Sequence, residues 1–327
     1  MLNIAEIIKK SDKSDVSDII QNAINENPNT TIYFPDGVYV ISKPITTPAA
    51  AVKSVSLRLD DFAIIRADDS WSHDEAMIRL GGTDEENDEF ACGTNFGISG
   101  GIIDGGGVAT AISIDCGRQT YIRDVSIKNA RIGIHIKYGT NNGSSDSDIL
   151  SVNITCNGKR DSVGIIAEGY DNTFTNIRIG NAFIGVELFS GGNILRNVHP
   201  LFYMNSIAKD RFEESVGFKN ERVNWFENCY SDQYATAFLT DHGGIYHDCY
   251  AYWYSEEQSR HVAFDSTGPF DGRVCGLSVS SSYPDISCAR LADGMRVTDD
   301  AYFENIAIFR KKLDINSLYE KGDLIHV

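Results

Sequence analysis

The feature of this sequence that most constrains its fold is a short repeat between residues 122 and 306. An apolar residue, a variable residue, Asn or Asp, and a second apolar residue recur, as in Phe174–Ile177 and Leu195–Val198. From the first occurrence to the last, the mean period is about 26 residues, which lies within the range of stacked solenoid repeats. Each period is therefore predicted to form one turn of a coil.

A second pattern falls between these repeats and predicts short strands. Apolar residues stand on either side of a Gly or Ala, as in Ile132–Ile134, Val163–Ile165 and Ile184–Val186. This alternation is typical of strands with one buried face, and the helical period of about 3.6 residues is missing from residues 95 to 310. The predicted fold class is therefore all-β.

The Asn or Asp of the first repeat stands where each coil must bend. Asn tolerates the left-handed backbone of a sharp turn and forms hydrogen bonds with its neighbours. In stacked coils these side chains are expected to form a structural ladder rather than a catalytic site. The predicted members of the ladder are Asn176, Asn197, Asn228, Asp248 and Asn305.

The N-terminal segment differs from the coils. Apolar residues at helical spacing predict a helix over Asp18–Asn27. Such a helix would cover the unpaired strand edges of the first coil. The expected organisation is an N-terminal capping segment with the helix at 1–29, the coils at 30–310, and a C-terminal tail or cap at 311–327.

Two β-rich runs surround Pro35–Gly37 in the segment TTIYFPDGVYVIS, residues 30 to 42. Together with the preceding helix, this segment resembles the N-terminal signature of the pectate-lyase-like superfamily, and the coils that follow are similar over residues 30 to 310. The resemblance implies a right-handed parallel β-helix, a single-stranded solenoid of about 9–10 coils with a short N-terminal capping helix. The superfamily includes pectate lyases, polygalacturonases, inulin fructotransferases and phage tailspikes, so the fold does not by itself specify a reaction.

Composition excludes several classes of partner. The chain carries 29 Lys and Arg against 46 Asp and Glu, a formal net charge of -17, whereas nucleic acid binding needs a basic surface. No stretch approaches the roughly 18 apolar residues of a membrane span, and nothing directs export by the general secretory route. We therefore expect a protein of the cytoplasm, or of a phage virion, with neither a membrane nor a nucleic acid partner.

The seven cysteines are odd in number and widely spaced, which favours reduced, mostly buried thiols.

The resemblance assigns the Gly and Ala strands to the first sheet of the coil, whose outer face usually forms the sugar groove in this superfamily. Alternate residues of a strand face opposite sides, so aligning these strands places two columns of side chains on that face. The first column reads Ser113, His135, Ile166, Glu187, Lys219, Leu239 and Asp265. The second column reads Asp115, Lys137, Glu168, Phe189, Glu221, Asp241 and Thr267.

Four carboxylates in these columns fall on successive coils, and we predict them as catalytic residues: Glu187, Glu221, Asp241 and Asp265. Like charges side by side destabilise a sheet, whereas two carboxylates that share a site can act as the acid and the base or nucleophile of a glycosidase. Two alternatives stay open. The carboxylates could form a solvated acidic face neutralised by Lys219, or a Ca²⁺ site that supports lyase chemistry with Lys219 or an Arg as the base.

Further residues are predicted to bind the substrate. Long connections before the later first-sheet strands, from His199 to Ser215 and from Tyr250 to His261, carry aromatic residues, and sugars present apolar faces that stack on aromatic rings. These loops would wall the coils that carry the carboxylates. The predicted substrate-binding residues are Tyr203, Tyr252, Trp253, Lys219, Glu168, His135, Lys137 and, as an acid–base helper, His242.

The catalytic motifs of two families in the superfamily are absent. Polygalacturonases carry Asn-Thr-Asp, a paired Asp-Asp followed by Gly-His-Gly, and Arg-Ile-Lys, and Asp241-His242-Gly243 repeats only part of this set. The signatures around the catalytic arginine of pectate lyases are absent as well. We therefore predict a glycoside hydrolase or an intramolecular fructotransferase-like enzyme that acts on an oligo- or polysaccharide without a cofactor or metal.

Other functions stay open at this stage. A polysaccharide lyase would use Ca²⁺ as its cofactor, and a non-catalytic glycan-binding or tailspike-like protein would need no catalytic residues. Solenoids of this kind often assemble as homotrimers with sites at the subunit contact, so a homotrimer is an expected assembly.

Overall fold

The computed structural model describes residues 1–9, 14–82, 96–139, 144–202, 214–253, 262–268, 272–281, 287–291, 302–304 and 307–308. These residues form a parallel β-helix, in which each coil contributes to three faces and neighbouring coils pair through parallel strands. The predicted all-β fold class is confirmed. Within the described part of the chain, no helix is long and apolar enough to cross a membrane. The C-terminal tail predicted at 311–327 lies outside the described residues.

The first sheet has ten strands, one from each coil, which agrees with the predicted number of coils. Its strands are Ile45–Thr46, Ile78–Leu80, Thr110–Ile114, Ile132–Ile136, Val163–Ala167, Ile184–Leu188, Val216–Asn220, Thr236–Thr240, Val262–Ser266 and Ser287–Leu291.

The second and third sheets join at the sharp turn of each coil. The second-sheet strands are Thr30–Phe34, Val55–Leu59, Gly97–Ser99, Tyr121–Arg123, Asp148–Leu150, Trp225–Glu227, Ile245–His247, Arg273–Cys275 and Tyr302–Glu304. The third-sheet strands are Gly37–Ile41, Ala63–Ala67, Ile102–Asp104, Ser126–Ala130, Asn153–Cys156, Tyr230–Asp232, Tyr250–Trp253, Ser278–Ser281 and Ala307–Ile308. Two longer strands, Thr173–Gly180 and Ile194–Leu201, run through both sheets.

From Asp124 to Asp248, each turn between the second and third sheets contains one residue in the left-handed region, as the sequence predicts. Short polar side chains reach this region at low cost because they can form local hydrogen bonds. The residues with positive φ at these turns are Asp124, Ser151, Asn176, Asn197, Asn228 and Asp248. Their side chains are solvent-exposed or nearly so, and one hydrogen bond of the predicted ladder is present, from Nδ2 of Asn197 to Oδ1 of Asn176 at 2.8 Å. Asn305 lies outside the described residues.

A buried Asn ladder lies instead at the turn between the first and second sheets. Asn172, Asn193 and Asn224 are each 0% exposed. Oδ1 of Asn193 accepts from the backbone N–H of Asn172 at 3.0 Å, and Oδ1 of Asn224 accepts from the backbone N–H of Asn193 at 2.8 Å. Each side chain thus satisfies a buried backbone group of the preceding coil. The sequence analysis did not identify this ladder.

The Gly or Ala of each first-sheet strand reflects a lack of space between coils. A Cβ atom on Gly164 would lie 2.4 Å from the carbonyl oxygen of Gly185 and 2.4 Å from Cγ2 of Ile179. Gly133 meets the same contacts from Gly164 and Ile154, at 2.5 and 2.6 Å. The third-sheet side chains therefore reach the first-sheet backbone, which closes the interior of the coil.

The interior changes from aliphatic to aromatic along the coil. Ile112, Ile134 and Ile165 are fully buried in successive coils. Further along, Phe218 stacks on Phe238 with ring centroids 5.0 Å apart. The interior of the coil forms one continuous hydrophobic core.

Two helices cover the first coil, α1 (Ile4–Ile8) and α2 (Ser17–Glu26). The second confirms the helix predicted near Asp18, and its residues Ile20 and Ile24 join the core. The short strand Leu2–Asn3 pairs with Thr30–Phe34 and occupies the edge of the second sheet. The end of the solenoid is thereby protected from further strand pairing.

Asp15 ties the start of α2 to the first coil. Its carboxylate accepts hydrogen bonds from the backbone N–H of Ser17 at 2.9 Å and from Oγ of Ser42 at 2.6 Å. Burial acts to raise the pKa of Asp15, but the hydrogen bonds from Ser17 and Ser42 outweigh it and lower the pKa to about 2.

Five cysteines whose side chains the structure describes are thiols outside any disulfide, as predicted. Cys116, Cys156, Cys229 and Cys249 are buried, and Cys275 is half-buried. Burial raises the pKa of Cys156 to about 12.

Candidate functional site

The outer face of the first sheet carries both predicted columns in the predicted register. In the first column, Ser113 pairs with His135, Ile166 with Glu187, and Glu187 with Lys219. The register holds across residues 203–213, so Lys219 faces outward as expected. In the second column the backbone N–H of Glu221 donates to Leu188, and that of Asp241 donates to Asn220, each at 2.9 Å. Glu221 and Asp241 therefore stand on neighbouring coils.

Lys219 joins two of the predicted catalytic carboxylates. Its Nζ lies 2.6 Å from Oε1 of Glu187 and 3.7 Å from Oε1 of Glu221. Burial acts to lower the pKa of Lys219, but its hydrogen bond to Glu187 and the charges of both glutamates raise that pKa above its ordinary value. The Glu187 side chain is 11% exposed and the Glu221 side chain 33%. Glu187 therefore lies beneath the surface, and Glu221 is accessible.

Asp241 is the most accessible of the four carboxylates that were predicted as catalytic. Its side chain is 47% exposed, and Oδ2 lies 3.1 Å from Nδ1 of His242. Oδ1 accepts a hydrogen bond of 3.4 Å from Oγ1 of Thr267. The predicted acid–base helper, His242, thus contacts Asp241 directly.

Asp265 occupies a different environment. It pairs in register with Leu239, which separates it from Lys219 along the first column, and the residue is 8% exposed. The structure therefore brings Glu187, Lys219 and Glu221 into contact and places Asp241 beside them, but it leaves Asp265 buried beyond Leu239.

A second charged cluster lies at the N-terminal end of the same face. Arg79 donates to Oδ2 of Asp115 from Nε at 2.8 Å and from Nη2 at 2.7 Å, and Nζ of Lys137 lies 3.2 Å from the same atom. Burial acts to raise the pKa of Asp115, but the hydrogen bond from Ser113 and the charge of Lys137, with Arg79, lower it below its ordinary value. One buried carboxylate thus holds two cations side by side.

The sequence analysis found Lys137 but missed Arg79. The alignment of columns began at Ser113, whereas Arg79 pairs with Ser113 in register one coil earlier. Between the two charged clusters, Nε2 of His135 lies 3.3 Å from Oε1 of Glu168. These two predicted substrate-binding residues are therefore paired with each other on the outer face.

Two of the aromatic residues predicted to wall the groove, Tyr252 and Trp253, lie elsewhere. His199 and Tyr250 belong to strands rather than to loops, and Tyr252 and Trp253 lie on the third sheet. Trp253 is 0% exposed and donates from Nε1 to the carbonyl oxygen of Tyr234 at 2.6 Å. The prediction that Trp253 walls the groove is wrong, because its ring is part of the core.

Tyr252 belongs to an aromatic cluster on the outer face of the third sheet. Tyr230 stacks on His199 with centroids 4.0 Å apart and lies 6.5 Å from Tyr252. The hydroxyl of Tyr230 donates to Asp232 at 3.0 Å. This placement puts Tyr252 on a different sheet from the carboxylates, and Tyr203 lies outside the described residues.

A separate concave surface lies on the second sheet. Its cavity has a volume of about 620 Å³, and its lining includes Arg58, Ser99, Tyr121, Arg123 and Asp124. No first-sheet residue lines it. The carboxylates of Glu187, Glu221, Asp241 and Asp265 are not among its lining residues, so the two surfaces are distinct.

Across the described ranges, no group of three or more His, Cys, Asp or Glu side chains is arranged to hold a metal ion. The carboxylates of Glu187 and Glu221 are bridged by Lys219 instead. Oxygen ligands of Ca²⁺ in proteins are mostly carboxylates and carbonyls that the ion itself holds together, and a lysine ammonium occupies that position here.

No family model matches this sequence, and no curated protein matches it in sequence. Solved structures do match. The N-terminal fragment of bacteriophage phi29 gene product 12 has a TM-score of 0.63 at 14% identity, over 94% of this chain and 57% of that chain. This chain therefore spans little more than half the length of the phage fragment.

Two enzymes match over most of their length. The endo-xylogalacturonan hydrolase from Aspergillus tubingensis has a TM-score of 0.57 at 13% identity, over 91% of each chain. The alginate lyase from Paenibacillus sp. str. FPU-7 has a TM-score of 0.54 at 13% identity, over 89% of this chain and 96% of that chain. The chain has the parallel β-helix fold of the pectate-lyase-like proteins, and at these identities the likeness shows the fold alone.

Proposed function

We propose that this protein is a carbohydrate-active enzyme that cleaves or rearranges glycosidic bonds with the carboxylates of Glu221 and Asp241. The observation that carries the proposal is the arrangement around Lys219. Two accessible carboxylates stand on neighbouring coils, and a buried ion pair with Glu187 fixes the cation next to one of them. Structural neighbours that include a glycan hydrolase and a glycan lyase support the choice of substrate class.

The placement of Glu221 and Asp241 on neighbouring coils is compatible with a double-displacement reaction, which the proposal adopts. Neighbouring coils are about 4.8 Å apart along a sheet, and retaining glycosidases hold their carboxyl groups about 5–5.5 Å apart, whereas inverting enzymes hold them about 6.5–9.5 Å apart. In this scheme an oxygen of Glu221 attacks the anomeric carbon and forms a glycosyl ester. Asp241 gives its proton to the leaving oxygen as the glycosidic bond breaks.

The second step restores the enzyme. Asp241 takes a proton from water, or from a hydroxyl of the same substrate in an intramolecular transfer, and the resulting nucleophile displaces Glu221 from the anomeric carbon. His242, which contacts Asp241 at 3.1 Å, would carry the proton between Asp241 and solvent. Lys219 supplies a fixed positive charge beside Glu221 throughout.

A lyase fits the site less well. Lyase chemistry needs a base that removes a proton next to a carboxylate, and the candidates were Lys219 or an Arg. The glutamates around Lys219 raise its pKa, which keeps the ammonium protonated and makes it a poor base. We therefore do not assign a lyase reaction to Lys219.

The test uses purified protein on xylogalacturonan, alginate, polygalacturonate and inulin, with reducing ends and product length as readouts. We expect Glu221→Gln and Asp241→Asn each to lower turnover about a hundredfold or more, with glycan binding retained. Glu227→Gln is the matched control, because Glu227 is also paired with a cation, Arg196 at 2.6 Å, but lies on the second sheet. Unchanged turnover in both catalytic-site variants would show that the assignment is wrong.

The same variants separate an enzyme from a binding protein. If wild-type protein binds a glycan but releases no product, and Glu221→Gln binds equally well, the groove is a non-catalytic glycan site. If the product carries an unsaturated bond that absorbs in the far ultraviolet, the reaction is elimination.

A further inference from the structure

Exposed aromatic side chains are concentrated on one edge of the first sheet. Among the described residues, four aromatic rings are at least about a third exposed, and three of them are Tyr138 (49%), Tyr170 (37%) and Phe189 (36%). These three belong to three consecutive coils, whereas the fourth, Phe62 (73%), lies far from them in the chain, between strands of the second and third sheets. Large exposed rings cost solvation free energy, so a row of them on a flat face needs an explanation.

The three rings follow the second column of the outer face. Tyr138 comes directly after Lys137, Tyr170 comes two residues after Glu168, and Phe189 occupies the column itself. The rings of Tyr138 and Tyr170 lie 6.0 Å apart at 75°, so they form an edge-to-face pair. The three side chains will be called the aromatic row.

The aromatic row leads directly to the carboxylates. Phe189 shares its strand end with Glu187, and Nζ of Lys219 lies 5.7 Å from the centre of the Phe189 ring. With about 4.8 Å between coils, Tyr170 lies one coil and Tyr138 two coils on the N-terminal side of Glu187. The row therefore covers about two sugar units of length on one side of the proposed reacting bond.

The groups between the rings favour a sugar over a protein partner. Charged and hydrogen-bonding side chains stand beside each ring, among them Lys137 and the pair of His135 and Glu168 at 3.3 Å. A protein partner would need a continuous apolar patch with few charges at its centre. A pyranose ring, in contrast, has an apolar face that stacks on an aromatic ring and hydroxyls at its rim that bond to polar neighbours.

We infer that Tyr138, Tyr170 and Phe189 bind two consecutive sugar rings of the glycan and set the position of the chain relative to Glu221. The inference rests on the proposed function, because it assumes that the aromatic row and the carboxylates bind the same glycan. The glycan lies along the axis of the coil, and the bond that reacts is the one that follows the sugar above Phe189.

The experiment compares binding and turnover in single ring variants. Tyr138→Ala and Tyr170→Ala remove the stacking faces, Tyr138→Phe and Tyr170→Phe keep them, and Phe62→Ala removes an exposed ring elsewhere. Binding is measured by native electrophoresis in gels that contain xylogalacturonan, alginate, polygalacturonate or inulin. The midpoint of thermal unfolding confirms that each variant is folded.

The expected result is about a tenfold loss of binding for each Tyr→Ala variant, which corresponds to the roughly 1.4 kcal/mol of one stacked ring. Phe62→Ala should bind as the wild type does, and each Tyr→Phe variant, which keeps the stacking face, should bind more tightly than the matching Tyr→Ala variant. In turnover on the glycan that binds, the Tyr→Ala variants should raise KM about tenfold with kcat nearly unchanged.

The outcomes separate this inference from the proposed function. If the Tyr→Ala variants lose binding while Glu221→Gln keeps full turnover, the aromatic row stands and the catalytic assignment fails. If Glu221→Gln abolishes turnover while both Tyr→Ala variants bind and react normally, the inference about the row is overturned. Absence of wild-type binding to all four polysaccharides would also overturn it.

Discussion

Replacing Asn193 with Ala should destabilise the coil more than any change at the exposed Asn turns. Asn193 stands in the middle of the buried ladder. Its Oδ1 accepts from the backbone N–H and from Nδ2 of Asn172, at 3.0 and 3.2 Å, and its Nδ2 donates to the carbonyl oxygen of Ser190 at 3.2 Å. Asn193→Ala removes all three of these hydrogen bonds.

The loss of unfolding free energy depends on the polar groups that lose a hydrogen-bond partner. Asn172 is 0% exposed, so water cannot replace the lost acceptor at its backbone N–H without entering the turn. A buried polar group without a partner costs about 1–3 kcal/mol, and the carbonyl oxygen of Ser190 retains a second donor, Nδ2 of Asn224 at 2.9 Å. We therefore expect Asn193→Ala to lower the free energy of unfolding by about 2–4 kcal/mol.

Asn197→Gly is the matched control. Asn197 is exposed, has a φ of 51°, and bonds to Asn176 at the surface. Gly adopts this backbone conformation readily, so the change should cost less than about 1 kcal/mol. The assay is guanidinium unfolding followed by intrinsic fluorescence, with amide hydrogen exchange to locate the loss, because stacked coils need not unfold in one step. Equal unfolding midpoints for the two variants would refute the reasoning.

Two further predictions concern the fold. The folded-state pKa of Asp15, about 2, lies below its ordinary value near 3.9, so its contribution is present above about pH 4 and lost as the pH falls toward 2. We expect Asp15→Asn to cost about 1 kcal/mol at pH 5, after discounting for solvent screening, and much less at pH 2.5, as measured by denaturant unfolding. Gly164→Ala should lower the midpoint of thermal unfolding by several degrees, because the new Cβ would lie 2.4 Å from the carbonyl oxygen of Gly185. Gly191→Ala should lower it less, because its Cβ would lie 3.2 Å from the nearest atom, the carbonyl oxygen of Val223.

The fold could be predicted because its repeat consists of short local sequence patterns. The alternation around Gly164 and Gly185 marks strands, and the polar residue at Asn176 or Asn197 marks a turn that only a few residue types tolerate. Both signals recur in successive coils beyond residue 110, so errors at one coil are corrected by the others. The register across residues 203–213 followed for the same reason, since Glu187 and Lys219 occupy equivalent positions of the pattern.

The sequence predicted the exposed ladder but not the buried one, because pattern and burial are different properties. Asn176 and Asn197 recur with apolar neighbours and are easily seen, yet their side chains face solvent. The residues that flank Asn172, Asn193 and Asn224 follow no repeated pattern. These three side chains stabilise the coil through hydrogen bonds to the preceding coil. Such bonds join residues far apart in the sequence, and no local pattern shows which Asn will be buried.

For the candidate site, the sequence predicted which residues share a face, and the structure adds the distances between their side chains. The sequence placed Glu187, Glu221 and Asp241 on one face and offered Lys219 as their neutralising cation, and the structure shows Lys219 in contact with Glu187 and Glu221. A carboxylate held beneath the surface, such as Glu187, can fix a cation but cannot easily reach a substrate. The proposed function therefore uses the more accessible carboxylates of Glu221 and Asp241.

The misplacement of Trp253 and the omission of Tyr138 have a common cause. Several aromatic residues lie close together in the sequence around Trp253, which favoured this segment as a sugar-binding loop. In the structure their rings pack in the core and on the third sheet. Tyr138 and Tyr170 are isolated in the sequence, 32 positions apart, and they meet only because one coil separates them in space. In a solenoid a binding surface is assembled across coils, so residues at equivalent positions of successive coils are more informative about function than residues that are close in the chain.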